Sequence, residues 1–321
     1  MAFLANLNRK DINKICLNYN LFNINKITPI YEGIQNSNYI IYGKKKYILT
    51  IYEDANVIKN LDKYIDLLIH FKKVKFNCPI PIEYKNNQFI YNDVTKKYGI
   101  FTFIKGKYLR KFSSKHLYYL GLNLSKMHMH TNNISIKISN YFNNTFYNKN
   151  IKKHKKYISS YNKYLIKKFE NTIKDYVSIT KLKLPTGIIH GDLFPDNVLF
   201  YKGKISGFID FYYACNNYLI SDLAIIIISW CFNYKANKLY LNKVKVRNLF
   251  IGYNEYRNIK KVELRFLNLL CKIYCIRFFF TRINDMNKNY DPKYKQIKNP
   301  NEYLEKFLYL ENNKINFRNL I

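Results

Sequence analysis

The hydrophobic pattern of this chain changes period near residue 105, and that single break restricts the architectures open to it. Ahead of the break, short alternating runs at residues 24–31, 39–42 and 47–52 are separated by turn residues, the last two runs joined through Gly43, Lys44 and Lys45. Such runs are antiparallel strands. Residues 56–71 carry Val57, Ile58, Leu61, Ile65, Leu68 and Ile69 at helical spacing, and Pro79 and Pro81 stop any continuation. Further strands are predicted at 81–84, 88–92 and 98–104. Beyond Gly106 the periods lengthen, which predicts helices at 114–130, 220–232, 243–256, 262–285 and 301–310, the first introduced by the cap-like Ser113 and Ser114. Two short strands at 198–201 and 204–209 meet at the turn Lys202-Gly203. The stretch 132–181, a low-complexity mixture of Asn, Lys, Tyr and Ile, is read as one helix over about 152–176 with irregular flanks. The expectation is an α+β fold of two lobes, an antiparallel-sheet lobe over residues 1–104 and a mainly helical lobe over 105–321.

Composition narrows the functional classes. With 321 residues, 48% of them apolar and 17% aromatic, the chain has enough apolar material for a sizeable core without staples. Its six cysteines are scattered through apolar stretches without the paired spacing of a zinc ribbon, and are read as reduced core thiols. Residues 1–11 show no charged start followed by an apolar run, and the most apolar stretch, 223–232, is too short to cross a bilayer. A cytoplasmic protein without a membrane partner is expected. The formal charge of +33 suggests a polyanionic ligand, yet only 8 of the 54 basic residues are Arg, the side chain that reads bases and phosphates bidentately. Lys, Asn, Ile, Tyr and Phe, all abundant, share A/T-rich codons, so the basic surface is read as base-composition drift, with no specific nucleic acid bound.

The chemistry is concentrated in His190-Gly191-Asp192-Leu193-Phe194-Pro195-Asp196-Asn197 and, after the hairpin, Gly207-Phe208-Ile209-Asp210-Phe211. Asp192 and Asn197 have the spacing of the kinase catalytic loop H-R-D-x-x-x-x-N, with Gly191 in place of Arg. A tight hairpin folds Asp210 back toward Asn197, so the two can offer oxygen ligands to one Mg²⁺ while Asp192 faces an alcohol. Phosphoryl transfer needs little more than an oriented hydroxyl and neutralised charge. His190 is expected to pin the loop backbone, and Asp222, which opens an apolar helix, to cap that helix or brace a loop. His128 is read as a structural hydrogen-bonding residue. In the first lobe, Gly33, Asn36, Ser37 and Asn38 link two strands and could cover nucleotide phosphates with backbone N–H groups. The adenine ring would lie beneath the sheet against residues 101–105, beside Phe103.

These residues resemble the aminoglycoside-phosphotransferase-like kinases, which have the protein-kinase-like fold, and in particular their homoserine-kinase branch. The resemblance runs almost end to end, through residues 32–39, 48–53, 190–200 and 209–216, then Asp222-Leu223-Ala224, Trp230-Cys231-Phe232, Thr281-Arg282 and residues 299–304. It implies ATP and Mg²⁺ as cofactors and L-homoserine as the small-molecule acceptor, a step toward threonine. Thr50 stands where related kinases place the phosphate-binding Lys, a departure that the homoserine-kinase branch shares. Tyr212 replaces the Gly of Asp-Phe-Gly, which argues against a mobile activation segment. For the zwitterionic acceptor, Arg277, Arg282 and Asn216 are the candidate contacts. Two rivals remain: the same fold acting on choline or an aminoglycoside, and a basic nucleic-acid-binding protein with an inactive kinase fold.

Overall fold

The computed structural model describes residues 8–30, 36–93, 96–132, 134–179, 183–286 and 298–320; Gly33 lies outside them. The N-terminal part runs α1 (Arg9–Asn18), β1 (Lys26–Ile30), β2 (Ser37–Tyr42), β3 (Lys46–Tyr52), α2 (Ala55–Lys59), α3 (Leu61–Lys73), β4 (Ile90–Asn92) and β5 (Lys97–Thr102). The C-terminal part continues with α4 (Ser114–His130), α5 (Asn144–Lys153), α6 (Lys155–Tyr161), α7 (Leu165–Ile179), β6 (Thr186–Ile189), β7 (Val198–Tyr201), β8 (Lys204–Phe208) and β9 (Cys215–Tyr218). It closes with α8 (Ile220–Trp230), β10 (Phe232–Lys235), β11 (Lys238–Leu241), α9 (Lys243–Asn254), α10 (Lys261–Met286) and α11 (Asn301–Asn313).

Five strands form one antiparallel sheet in the order β1-β2-β3-β5-β4. Strand alternation sends Leu49 and Ile51 of β3 and Tyr98 and Ile100 of β5 to one face, where they pack with Ile12, Ile15 and Cys16 of α1. A reciprocal cap between Asn8 and Asp11 starts that helix. The opposite face carries Asn38, Thr50 and Gly99 in register across β2, β3 and β5. Helix α3 belongs to the other core. Its Leu61, Leu67, Leu68 and Phe71 join the apolar residues of α4, α8 and α10 in one continuous cluster, each contributing roughly 1.5–3 kcal/mol by burial.

The structure refines several expectations. The helix expected at 56–71 is two helices broken at Asn60, because α2 lasts a single turn and α3 starts afresh. The described residues of the stretch 132–181 hold three helices, since Asn143 caps α5 and the chain turns at His154 and Asn162. Residues 81–84 form no strand; Pro81 makes an isolated bridge with Phe101, and Ile82 donates its N–H to the Ile100 carbonyl. The six cysteines are buried and free. Helices α4 and α9 cross backbone to backbone through Gly121 and Gly252, where an added methyl would collide with the carbonyls of Leu249 and Tyr118 respectively. No helix among the described residues is long and apolar enough to cross a membrane.

Candidate active site

The loop between β6 and β7 is fixed from beneath by α8. The buried Asp222 accepts the His190 N–H on Oδ2 at 2.8 Å and the Gly191 N–H on Oδ1 at 2.9 Å, and Trp230 donates through Nε1 to the Leu193 carbonyl at 2.9 Å. Gly191 has φ +75°, and a side chain there would meet the Tyr213 carbonyl, which explains glycine at that place. Asp222 is itself held. His128 donates from Nε2 to its Oδ2 at 3.0 Å and accepts the Tyr253 hydroxyl on Nδ1 at 2.6 Å. Arg257 donates to the same hydroxyl at 3.1 Å, and its Nη2 donates to both carboxylate oxygens of the buried Glu263 at 2.8 Å. Buried polar groups are costly unless satisfied, and here each link meets the next.

His190 ties the loop to the following hairpin. Its Nδ1 accepts the Asp192 N–H at 3.3 Å, so Nε2 carries the proton and donates to the Ile209 carbonyl at 2.9 Å. Burial pushes this imidazole down to about 4, which keeps it neutral and suited to that pair of bonds. The Ile209 N–H in turn donates to the Asn197 carbonyl at 3.0 Å. Asp192, Asn197 and Asp210 are thereby brought to one place.

The carboxylates there are strained electrostatically. Asn197 Nδ2 donates to the Asp192 carbonyl at 2.7 Å and to its Oδ2 at 3.1 Å, leaving the Asn197 amide oxygen for a cation. Burial pushes Asp192 up to about 6, opposed by Arg277, whose guanidinium lies 3.7 Å from Oδ1. Asp210 is pushed up to about 7 by burial and then by the like charges of Asp192 and Asp196. Its backbone is left-handed, at φ 65° and ψ 61°, and its Oδ1 is buried with no hydrogen-bond partner. A strained non-glycine residue carrying an unpaired buried oxygen is a poor structural element and a good metal ligand. Among the described residues no cluster of three or more His, Cys, Asp or Glu could hold an ion alone. The donor set of Asn197 and Asp210 fits Mg²⁺, which takes one or two protein oxygens and completes its shell with phosphate oxygens and water.

The segment after Asp210 is wedged in place. Phe211 lies between His190 and Phe71, with ring centroids at 4.5 and 5.3 Å, and Tyr212 packs edge-on to Tyr52 and Tyr64 at 5.8 and 6.1 Å. Tyr212 in place of Gly is therefore an anchor between β3 and α3.

The remaining sequence candidates have defined surroundings. Thr50 is buried and donates its hydroxyl to Asn38 Oδ1 at 2.7 Å; Asn36 Oδ1 accepts the Glu53 N–H at 3.2 Å, and Ser37 donates to the Glu53 carboxylate at 2.9 Å. Phe103 follows β5, with the Lys46 ammonium 5.6 Å from its ring centroid. Arg277 is buried against Phe142, its Cζ 3.7 Å from the ring centroid, and donates to the Gly191 carbonyl at 2.6 Å. Asn216, a candidate acceptor contact, accepts the Ile138 N–H at 2.7 Å. Arg282, another such candidate, pairs with Glu302 and donates to the Asn299 carbonyl, both at 2.7 Å. Sequence reasoning missed a further pair: Lys298 Nζ lies 2.7 Å from Oδ2 of Asp196, in the same loop as Asp192. A contact between residues 102 positions apart has no local signature.

Residues 26–240 match the profile described as the phosphotransferase enzyme family. The homoserine kinase of Agrobacterium fabrum is 30% identical over 311 residues, covering 96% of this chain and 95% of that protein. The homoserine kinase of Bartonella henselae is 29% identical over 317 residues, covering 97% of each chain. Among solved structures, an amicoumacin kinase in complex with AMP-PNP, Ca²⁺ and its ligand superposes with TM-score 0.69 at 13% identity, over 95% of this chain and 92% of that one. A choline kinase from Streptococcus pneumoniae superposes with TM-score 0.62 at 14% identity, over 94% and 97%. These structures share the protein-kinase-like fold with the chain.

Proposed function

Because the chain belongs to the phosphotransferase enzyme family, we propose that it transfers the γ-phosphoryl group of ATP to the side-chain hydroxyl of L-homoserine, a cytoplasmic step toward threonine. The observation that carries the choice of acceptor is the full-length likeness to proteins named homoserine kinase. The nucleotide lies between residues 1–104 and 105–321, its phosphates near Asn36, Ser37, Asn38 and Thr50 and its base beside Phe103.

Asp192 is the base: its carboxylate accepts the acceptor's hydroxyl proton as the oxygen bonds to the γ-phosphorus and the bond to the leaving ADP oxygen breaks. Asn197 and Asp210 would hold Mg²⁺, which when bound with the nucleotide neutralises phosphate charge. Arg277 positions the loop through the Gly191 carbonyl and keeps Asp192 ionised near neutral pH. Arg282 braces the segment at 299–302 and Asn216 braces the backbone at residue 138.

The test is an ADP-release assay with Mg²⁺ and ATP against L-homoserine, choline and kanamycin. Release that depends on homoserine, with O-phosphohomoserine as product, is expected. Turnover of choline or kanamycin alone would assign another acceptor, and no turnover at all would favour the inactive, nucleic-acid-binding alternative.

A further inference from the structure

Asp196 stands four residues beyond Asp192, in the short turn Pro195–Asn197, and its carboxylate bonds the Lys298 ammonium at 2.7 Å. The two side chains are 47% and 45% exposed. Three other charged groups around the loop are committed elsewhere: Asp222 is buried beneath the loop, Arg277 is held by the Gly191 carbonyl, and Arg282 is paired with Glu302. Lys298 is presented from a fixed base, since Arg282 bonds the carbonyl of the next residue, Asn299, and the Lys298 ammonium lies 5.6 Å from the Phe194 ring centroid.

We propose that Asp196 and Lys298 form the receptor for the zwitterionic head of an amino-acid acceptor, Asp196 taking the α-ammonium and Lys298 the α-carboxylate. The inference rests on the functional reading above and deepens it. An exposed ion pair contributes little to stability, so it opens at small cost. Replacing one internal pair by two pairs to a zwitterion leaves every charge compensated, while the acceptor's hydroxyl end reaches Asp192. The same pair discriminates. Choline offers Lys298 no carboxylate, and an acceptor with only positive charge leaves the ammonium of Lys298 opposed to it.

The test pairs each variant with the analogue lacking the group it would bind. Lys298→Met should raise KM for L-homoserine about 10- to 100-fold, as expected for loss of a charge-assisted bond. It should leave KM for ATP unchanged, and also the affinity for 3-aminopropan-1-ol, measured as substrate or competitive inhibitor. Asp196→Asn should weaken homoserine similarly and spare 4-hydroxybutanoate. Because both side chains are exposed, both variants should melt with the parent protein. Parallel losses on homoserine and on the analogue, or a raised KM for ATP, overturn the proposal. A parent enzyme that leaves L-homoserine unphosphorylated overturns the functional reading instead, and does so before any variant is compared.

Discussion

The imidazole of His190 donates to the carbonyl of Ile209 at 2.9 Å, so one side chain joins the loop that carries Asp192 to the strand end that carries Asp210. His190→Ala removes that tie and leaves a half-buried carbonyl unpaired. The expected outcome is a fall in kcat of about 10- to 100-fold from misplacement of the reacting groups, with a lowered melting temperature. Steady-state kinetics and a thermal melt check it; wild-type kcat in a folded variant would remove His190 from the positioning of the site.

Asp192→Asn should lower kcat by about 10²- to 10⁴-fold with little change in ATP affinity, as loss of an oriented base does. In the parent enzyme the carboxylate must be ionised to accept a proton. With Asp192 pushed up to about 6 by burial, kcat/KM should rise with pH below about 6 and level off above it. A pH–rate profile flat down to pH 5 would contradict that assignment.

Asp210 makes an opposite prediction for stability and activity. Its folded-state pKa is raised from 3.8 to about 7, so the native protein binds the extra proton between those values. Stability therefore falls as pH climbs through that window, and the full penalty is present above it. Asp210→Asn should raise the melting temperature of nucleotide-free protein at pH 8, on the order of 5 °C, with a smaller gain at pH 5.5. Mg²⁺-dependent nucleotide binding should be lost at the same time, as followed by calorimetry.

Gly252→Ala forces α4 and α9 apart at their closest approach. A destabilisation of about 1–3 kcal/mol is expected from overpacking. Because Tyr253 is the next residue and feeds the chain through His128 to Asp222, kcat should fall as well. Denaturant unfolding and kinetics on the same preparation read both effects.

Much of the site was legible because its residues lie at fixed offsets in two short segments, His190 to Asn197 and Gly207 to Phe211. Long helices such as α4 and α10 were legible from their sustained apolar period. The sequence did not show α1, whose ten residues carry a mixed polar pattern, or the paired strands β6 with β9 and β10 with β11, each only four residues long. Within 132–181, Asn, Lys and Tyr recur so evenly that three helices read as one. The acceptor candidates were harder still. Arg277 and Arg282 sit on one helix, and only tertiary structure shows one turned to the Gly191 carbonyl and the other to Glu302.

Helix α3 lies early in the chain yet shares its apolar side with helices that come after residue 114. A fragment cut at residue 104 would therefore carry away Leu61, Leu67, Leu68 and Phe71 stripped of the later helices they pack with, and a fragment beginning at 105 would be left with a matching gap. Neither half is equipped to stand alone, so mature enzyme should arise only once both have left the ribosome.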